Sequence, residues 1–279
     1  MLMTRNLHVK RYMVKEASKV HLGKIDPSDT SAFDGDKKDG ERAMDAILRK
    51  LDPLQELLYA EHKHKVLIVL QGMDTAGKDG TIRRVFEGVN PEGVRVAHFG
   101  VPSVEELDHD YLWRAHKEVP GKGEIVLFNR SHYESVLVER VHWLVPESVW
   151  SRRYQQLVDF ERMLNEEGTV IIKFFLHIDK KEQAKRFQDR LNDPTKHWKF
   201  SYLDYNERSY WKDYMRAYEE ALERTSTEFA PWYVVPSNHP WFRDLVVSEV
   251  VVNALELLGM HYPKLDPRKA ELASDKVPA

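Results

Sequence analysis

The chain has 279 residues, 42% of them hydrophobic and 31% charged, a composition that excludes wholesale disorder and suits one α/β domain with helical elaborations. It contains no cysteine, which excludes a disulfide framework, a thiolate metal site and a cysteine nucleophile. Its formal net charge of −3, from 42 basic and 45 acidic residues, argues against a general nucleic-acid binder and leaves any polyanion to a local basic channel.

The basic N-terminus has no apolar stretch of signal-peptide length, and no run approaches the roughly 20 apolar residues of a membrane span. A cytoplasmic protein with no membrane contact is the expectation. Residues 1–50 read as a polar N-terminal extension, in which DPSDTSAFDGDKKDGER is turn-rich and a helix follows from Ala43 to His62. KVLIVLQ, Lys65 to Gln71, is a β-branched apolar run closed by GMDTAGKDG, the pattern of a buried parallel strand feeding a glycine loop. A strand at Val94 to Phe99 follows, then a helix opened by Ser103 with Glu106 three residues on, and a strand from Glu124 to Phe128. The remaining pattern predicts a helix from Glu147 to Asn165, a strand from Thr169 to Ile178 and a charged helix from Lys180. A long helix near Tyr205 to Thr225, a strand from Trp232 to Val235 and a final helix complete it. Alternating strands and helices imply a mostly parallel sheet with crossovers on both faces, an α/β fold. The charged, Pro-containing stretch 263–279 reads as a loosely ordered tail.

GMDTAGKD fits G-x-x-x-x-G-K, with Gly72, Gly77 and Lys78 in register between a predicted strand and a predicted helix. The glycines let the backbone curl so that successive N–H groups face an anion, the helix N-terminus adds its dipole, and Lys78 supplies a mobile charge. Thr75, Ala76, Asp79 and Gly80 join these residues as candidate phosphate binders. Asp79 stands where Ser or Thr ordinarily offers a hydroxyl to Mg²⁺, and Asp74 puts a second carboxylate in the loop. Two carboxylates beside a phosphate repel it unless a metal ion intervenes. Asp74 is therefore the first candidate ligand for Mg²⁺, or for Mn²⁺ in its place, or else an acceptor-orienting group, whereas Asp79 is either a ligand or a helix N-terminal carboxylate. Arg83 and Arg84 follow on the helix, where one of them, Arg83 in our assignment, lines a phosphate channel.

At the end of EIVLF the chain reads NRSHYE, which places Asn129, Arg130 and Glu134 at the carboxyl end of a strand, where open α/β sheets bind ligands. The Asp that often ends this strand is replaced by Asn129. Glu134 restores a negative charge and is a second candidate metal ligand, and Arg130 is placed to stabilise charge on a transferred phosphoryl group. In KKEQAKRFQDRLNDPTKHWKFS, Arg186 and Arg190 are four apart on one helical face, with Lys196 and Lys199 in a loop broken by Pro194. A basic flap over phosphates is one reading and a charged surface helix the other. Trp198 reads as a packing anchor rather than a base-stacking residue, and His132 as a hydrogen-bonded scaffold residue rather than a substrate contact. No pair among the thirteen histidines has metal-ligand spacing.

Taken in order, GMDTAGKDG, HFGVPS, FNRSHYE, KFFLHI, RLNDPTKHWKFS and APWYVVP resemble polyphosphate kinase family 2, over residues 51–262. The resemblance implies a P-loop three-layer α/β/α sandwich, thymidylate-kinase-like, with a helical lid near 180–215. It implies inorganic polyphosphate as donor, ADP or AMP as acceptor with ATP among the products, Mg²⁺ dependence and reversibility. Asp74 and Lys78 match the family's loop acid and lysine, Arg130 its strand-end arginine and Arg190 its lid arginine, whereas Asn129 departs from the more frequent aspartate. Asn129 with Glu134 is similar to the class III branch, whose members accept nucleoside monophosphates and diphosphates. A homo-oligomer, dimer or tetramer, is expected. The competing readings are an ATP-dependent nucleotide or nucleoside kinase on the same fold, and a non-catalytic nucleotide-binding P-loop protein suggested by Asp79 and Asn129.

Overall fold

Alternation along the chain becomes alternation in space. In the computed structural model five strands, β1 (Lys65–Gln71), β2 (Val94–His98), β3 (Ile125–Asn129), β4 (Thr169–His177) and β5 (Trp232–Pro236), pair in parallel in the order β2-β3-β1-β4-β5. The structure is described for residues 7–265, so most of the expected tail, like residues 1–6, lies outside the described residues. β1 is central and buried along all but its first residue, because both sheet faces are covered and no position can alternate towards water. Its register pairs Leu70 with Asn129 and Gln71 with Phe175. That alignment brings GMDTAGKDG and NRSHYE out of the sheet side by side.

Ten helices surround the sheet among the described residues: α1 (Lys37–Glu61), α2 (Lys78–Val85), α3 (Val104–Leu107), α4 (Trp113–His116), α5 (Val138–Val141), α6 (Glu147–Glu166), α7 (Lys180–Asn192), α8 (Tyr202–Asn206), α9 (Trp211–Thr225) and α10 (Pro240–Glu256). One face packs Leu67, Val69, Phe128 and Phe175 against α6 and α9. The other packs Ile68, Leu127 and Phe174 against α1 and α10. These two cores are the seams of a three-layer α/β/α sandwich. Among the described residues no helix is long and apolar enough to cross a membrane.

Two expectations shift, and the Ser103 capping box forms as expected. α1 begins at Lys37 rather than Ala43 and runs through positions 50 and 51, where the extension was expected to give way to the domain. Asp36 accepts from Asp39 N at 2.9 Å while the Asp39 carboxylate accepts from Asp36 N at 3.4 Å, so a polar stretch that reads as turn is a reciprocal helix cap. The single helix expected near 205–225 is broken into α8, a 3₁₀ turn Glu207–Tyr210 and α9. The helix opened by Ser103 is one turn only, with both capping-box bonds made. Upstream of α1, residues 7–33 form a strap across the molecule: Val14 N donates to Trp232 O at 2.8 Å, and Asn238 N to Pro27 O at 3.0 Å.

Candidate active site

The loop between β1 and α2 is shaped by close approach. A Cβ on Gly72 would lie 2.8 Å from Leu176 O, and one on Gly77 would lie 1.9 Å from Arg243 Nη1 on a backbone with φ of 109°. Only glycine fits either position. Lys78 opens α2, and its Nζ donates to Gly72 O at 2.8 Å and Met73 O at 3.4 Å. An ammonium has three hydrogens, so one is left for a phosphate oxygen at the loop mouth. Burial, with the charge of Arg130, pulls Lys78 down to about 8, against the opposing pull of Asp74, Glu134 and Asp79.

Across the loop, Arg130 Nη2 donates to Asp74 Oδ1 at 2.7 Å. Burial alone would lower the Arg130 pKa, but the carboxylates of Glu134 and Asp74 outweigh it and hold the guanidinium firmly charged. Asn129 Nδ2 donates to Asp79 Oδ1 at 2.6 Å, and Lys199 Nζ lies 3.6 Å from Asp79 Oδ2. Burial favours a protonated Asp79; the Asn129 bond and the charges of Lys199 and Lys78 prevail and keep it below the ordinary carboxylate range.

These groups line a cleft of about 600 Å³. Its lining includes the cations Arg190, Lys196 and Lys199 from the segment 190–199 and Arg243 from α10, together with His98, Phe99 and Gly100 at and just beyond the end of β2. Of the candidate residues, Asp74, Thr75, Gly77, Lys78, Asp79 and Gly80 line it from the loop, Asn129 and Arg130 from the end of β3, and Arg186, Arg190 and Lys199 from α7 and the segment that follows it. Gly72 and Ala76 shape the loop from behind. Arg83 is exposed on α2, outside the cleft lining, and Arg84 beside it pairs with Asp45. Glu134 also lies outside the lining; burial raises its pKa, opposed by Arg130, the Gln71 amide and Lys78.

The family model "Polyphosphate kinase 2 (PPK2)" matches residues 34–262. The chain belongs to polyphosphate kinase family 2. The chain is 55% identical over 269 residues to the AMP/ADP-polyphosphate phosphotransferase of Meiothermus ruber, covering 96% of this chain and 99% of that one. It is 44% identical over 279 residues to the ADP-polyphosphate phosphotransferase of Rhodopseudomonas palustris, covering 95% and 96%. The crystal structure of polyphosphate kinase 2 from Arthrobacter aurescens TC1 superposes with a TM-score of 0.88 at 41% identity, covering 94% and 98%.

Three features of this family 2 site escape sequence reasoning. Asp204, in α8, reaches the cleft half-buried; burial and then Asp74 raise its pKa against Arg130, Arg190 and Lys78. Arg243 is buried under the loop, clamped by Asp244 at 2.7 and 3.0 Å, while Thr81 Oγ1 donates to that carboxylate at 2.9 Å. Trp198, expected to anchor packing, is 79% exposed and lines the cleft, with Lys199 Nζ 4.9 Å from its ring centre. The ring belongs to the 3₁₀ turn Pro194–Lys199, which Pro194 opens. Buried His132 is the scaffold residue its surroundings suggest, with Nε2 3.4 Å from the Glu161 carboxylate.

Proposed function

We propose that the terminal phosphate of inorganic polyphosphate is passed to ADP, and to AMP, at the point where Lys78, Arg130 and Asp74 converge. The single observation that carries this reading is the Asp74–Arg130 pair set beside Lys78 at the mouth of the phosphate loop. The chain is a polyphosphate-driven nucleotide phosphotransferase, in keeping with the names of its relatives in Meiothermus ruber and Rhodopseudomonas palustris. AMP is included among the acceptors because of the first of those names and because Asn129 replaces an acid at the strand end.

Lys78 and Arg130 hold the transferred phosphoryl group between them and stabilise charge that moves onto its oxygens. Arg190, Lys196 and Lys199 hold the rest of the donor chain along the cleft. The acceptor enters from the His98 and Phe99 side, so that its phosphate lies in line with the bond to be broken. An acceptor phosphate is already ionised near neutral pH and needs no general base. Closure of the loop 193–200 over the chain keeps out water, which would divert transfer into hydrolysis.

The donor set suits Mg²⁺. Among the described residues no three His, Cys, Asp or Glu side chains converge as a ready cage, yet Mg²⁺ is commonly held by one or two carboxylates together with substrate phosphates. Asp74 would supply one carboxylate and Asp204, which also lines the cleft, a second; Glu134 lies outside the lining and is better suited to keeping Arg130 charged. When bound, the ion neutralises charge shared by donor and acceptor oxygens. We assign the enzyme to the cytoplasm, where nucleotide acceptors are abundant, and to a dimer or tetramer, which light scattering tests directly.

The deciding experiment is incubation with long-chain polyphosphate, Mg²⁺ and either ADP or AMP, followed by chromatography of the nucleotides. ATP from ADP, and ADP with ATP from AMP, are the expected products. Turnover only when ATP is offered to a nucleoside would replace the reading with an ATP-dependent kinase, and nucleotide binding without turnover would leave a non-catalytic P-loop protein.

A further inference from the structure

KFFLHI places a lysine in the middle of a central strand. Lys173 is fully buried, registered with Val69 of β1, and all three of its ammonium hydrogens are used: on Tyr133 OH at 2.9 Å, on Glu161 Oε2 at 2.5 Å and on Thr225 O at 2.8 Å. Glu161, from α6, is equally buried, and its other oxygen accepts from Tyr133 OH at 2.8 Å and faces His132 Nε2 at 3.4 Å. Replacing a buried ion pair by apolar residues is often neutral or stabilising, so stability is a poor reason for this one. What it grips is the turn that follows the strand-end arginine.

Arg130 has a φ of 61°, an unfavourable conformation for a residue with a long side chain. Such strain persists only where the surroundings over-determine it. On one side Arg130 N donates to Leu70 O at 3.1 Å, fixing the residue to β1. On the other, Ser131 Oγ accepts from Gln71 Nε2 at 3.0 Å and from Tyr133 N at 3.2 Å, and His132 and Tyr133 are tied to Glu161 and Lys173. The strained residue is therefore held between the sheet and a buried polar knot.

We infer that Lys173 and Glu161 are positioning residues that, through Tyr133, hold Arg130 in its left-handed conformation and so keep its guanidinium on Asp74. The inference rests on the reading of Arg130 as the transfer-site arginine. It also gives KFFLHI a role in catalysis without contact with substrate.

The test is a double-mutant cycle on kcat. A Lys173→Met, Glu161→Leu variant removes both charges at similar volume. It is expected to stay folded, to lose about 10- to 100-fold in kcat, and to shift KM for ADP and polyphosphate less than about threefold. In an Arg130→Ala background the same pair of changes is expected to cost nothing further, because the residue they position is gone. A folded double variant at wild-type kcat, or one whose loss multiplies with that of Arg130→Ala, overturns the inference. If the double variant does not fold, Tyr133→Phe, which removes one hydroxyl, is judged by the same two criteria. Arg130→Ala at full rate would instead remove the reading of Arg130 itself, so the two failures are distinguishable.

Discussion

Two side chains that break the usual P-loop pattern form a single hydrogen bond. Asp79 replaces a hydroxyl residue and Asn129 replaces an acid, and the amide of one donates to the carboxylate of the other at 2.6 Å. An aspartate at 129 would set two carboxylates at that distance and demand a proton or a cation between them. Lys78 carries a pH prediction. With its pKa pulled to about 8, the free enzyme loses this positive charge as pH rises through that value, so kcat/KM for polyphosphate falls on the alkaline side. The unfolded chain keeps its lysine proton up to the ordinary 10.5, so stability gains from this residue as pH rises between about 8 and 10.5. Lys78→Arg, which stays charged, is expected to move the alkaline limb of the rate profile upward; an unmoved limb would assign it to another group. Lys78→Ala and Arg130→Ala are each expected to cost at least about 100-fold in kcat with the fold kept, by comparison with the loss of one charge-stabilising donor elsewhere. Near-normal turnover in either folded variant would end its assignment. Asp74, Lys78, Asn129 and Arg130 were legible because fixed spacing ties each to the end of a strand. Asp204 and Arg243 were not, since Arg243 reaches Ala76 across 167 residues and no local pattern marks it.

The charged segment expected to act as a lid divides into a packed half and an exposed half. Arg186 donates to Thr75 O, Ala76 O, Ser237 O and Asn238 O at 2.6 to 3.2 Å, and Phe187 is 1% exposed, so the body of α7 is bolted to the phosphate loop. Arg186 thus braces the loop between β1 and α2, with little donor capacity left for a ligand. Beyond Asp193 the picture changes: Trp198, Tyr202 and Leu203 are each more than three-quarters exposed. The charged segment therefore has the geometry of a packed surface helix in α7 and of an exposed basic loop in residues 193–200. Its sequence could not divide the two because Arg186 and Arg190 share a helical face and differ only in distant carbonyl partners. Lys196→Ala with Lys199→Ala is expected to raise KM for long-chain polyphosphate several-fold, to weaken its salt dependence, and to change kcat less than about twofold. Arg186→Ala, by contrast, is expected to lower the melting temperature as well. Equal effects of the two variants on KM and melting temperature would show that the segment acts as one unit.

At the scale of the whole molecule, the strap decides how the sandwich is closed. The order β2-β3-β1-β4-β5 leaves β5 at an edge, and an uncovered edge invites pairing with another chain. Met13 bridges Tyr233 across that edge, Ser226 Oγ donates to Val14 O at 2.7 Å, and Leu22 N donates to Glu219 Oε1 at 2.8 Å. Val14, Val20 and Leu22 enter the core shared with α6 and α9, whereas Val9, Tyr12 and Phe33 enter the core shared with α1 and α10. One polar stretch therefore stitches both seams. Its composition concealed this, because the strap contributes scattered single apolar residues and backbone donors rather than a periodic face, and neither leaves a pattern to read. Leu22 is 1% exposed, and truncating a buried leucine to alanine costs about 2–5 kcal/mol through lost burial and the cavity left behind. At about 2–4 °C per kcal/mol for a chain of this size, Leu22→Ala is expected to lower the melting temperature by roughly 4–20 °C. Turnover at 25 °C should stay within about twofold of the parent, since the strap touches neither Lys78 nor Arg130. Calorimetry and initial rates on the same preparation separate the outcomes: a shift under about 2 °C would make the strap a passenger on a sandwich that closes without it, and a parallel loss of kcat would mean that it also bears on the cleft.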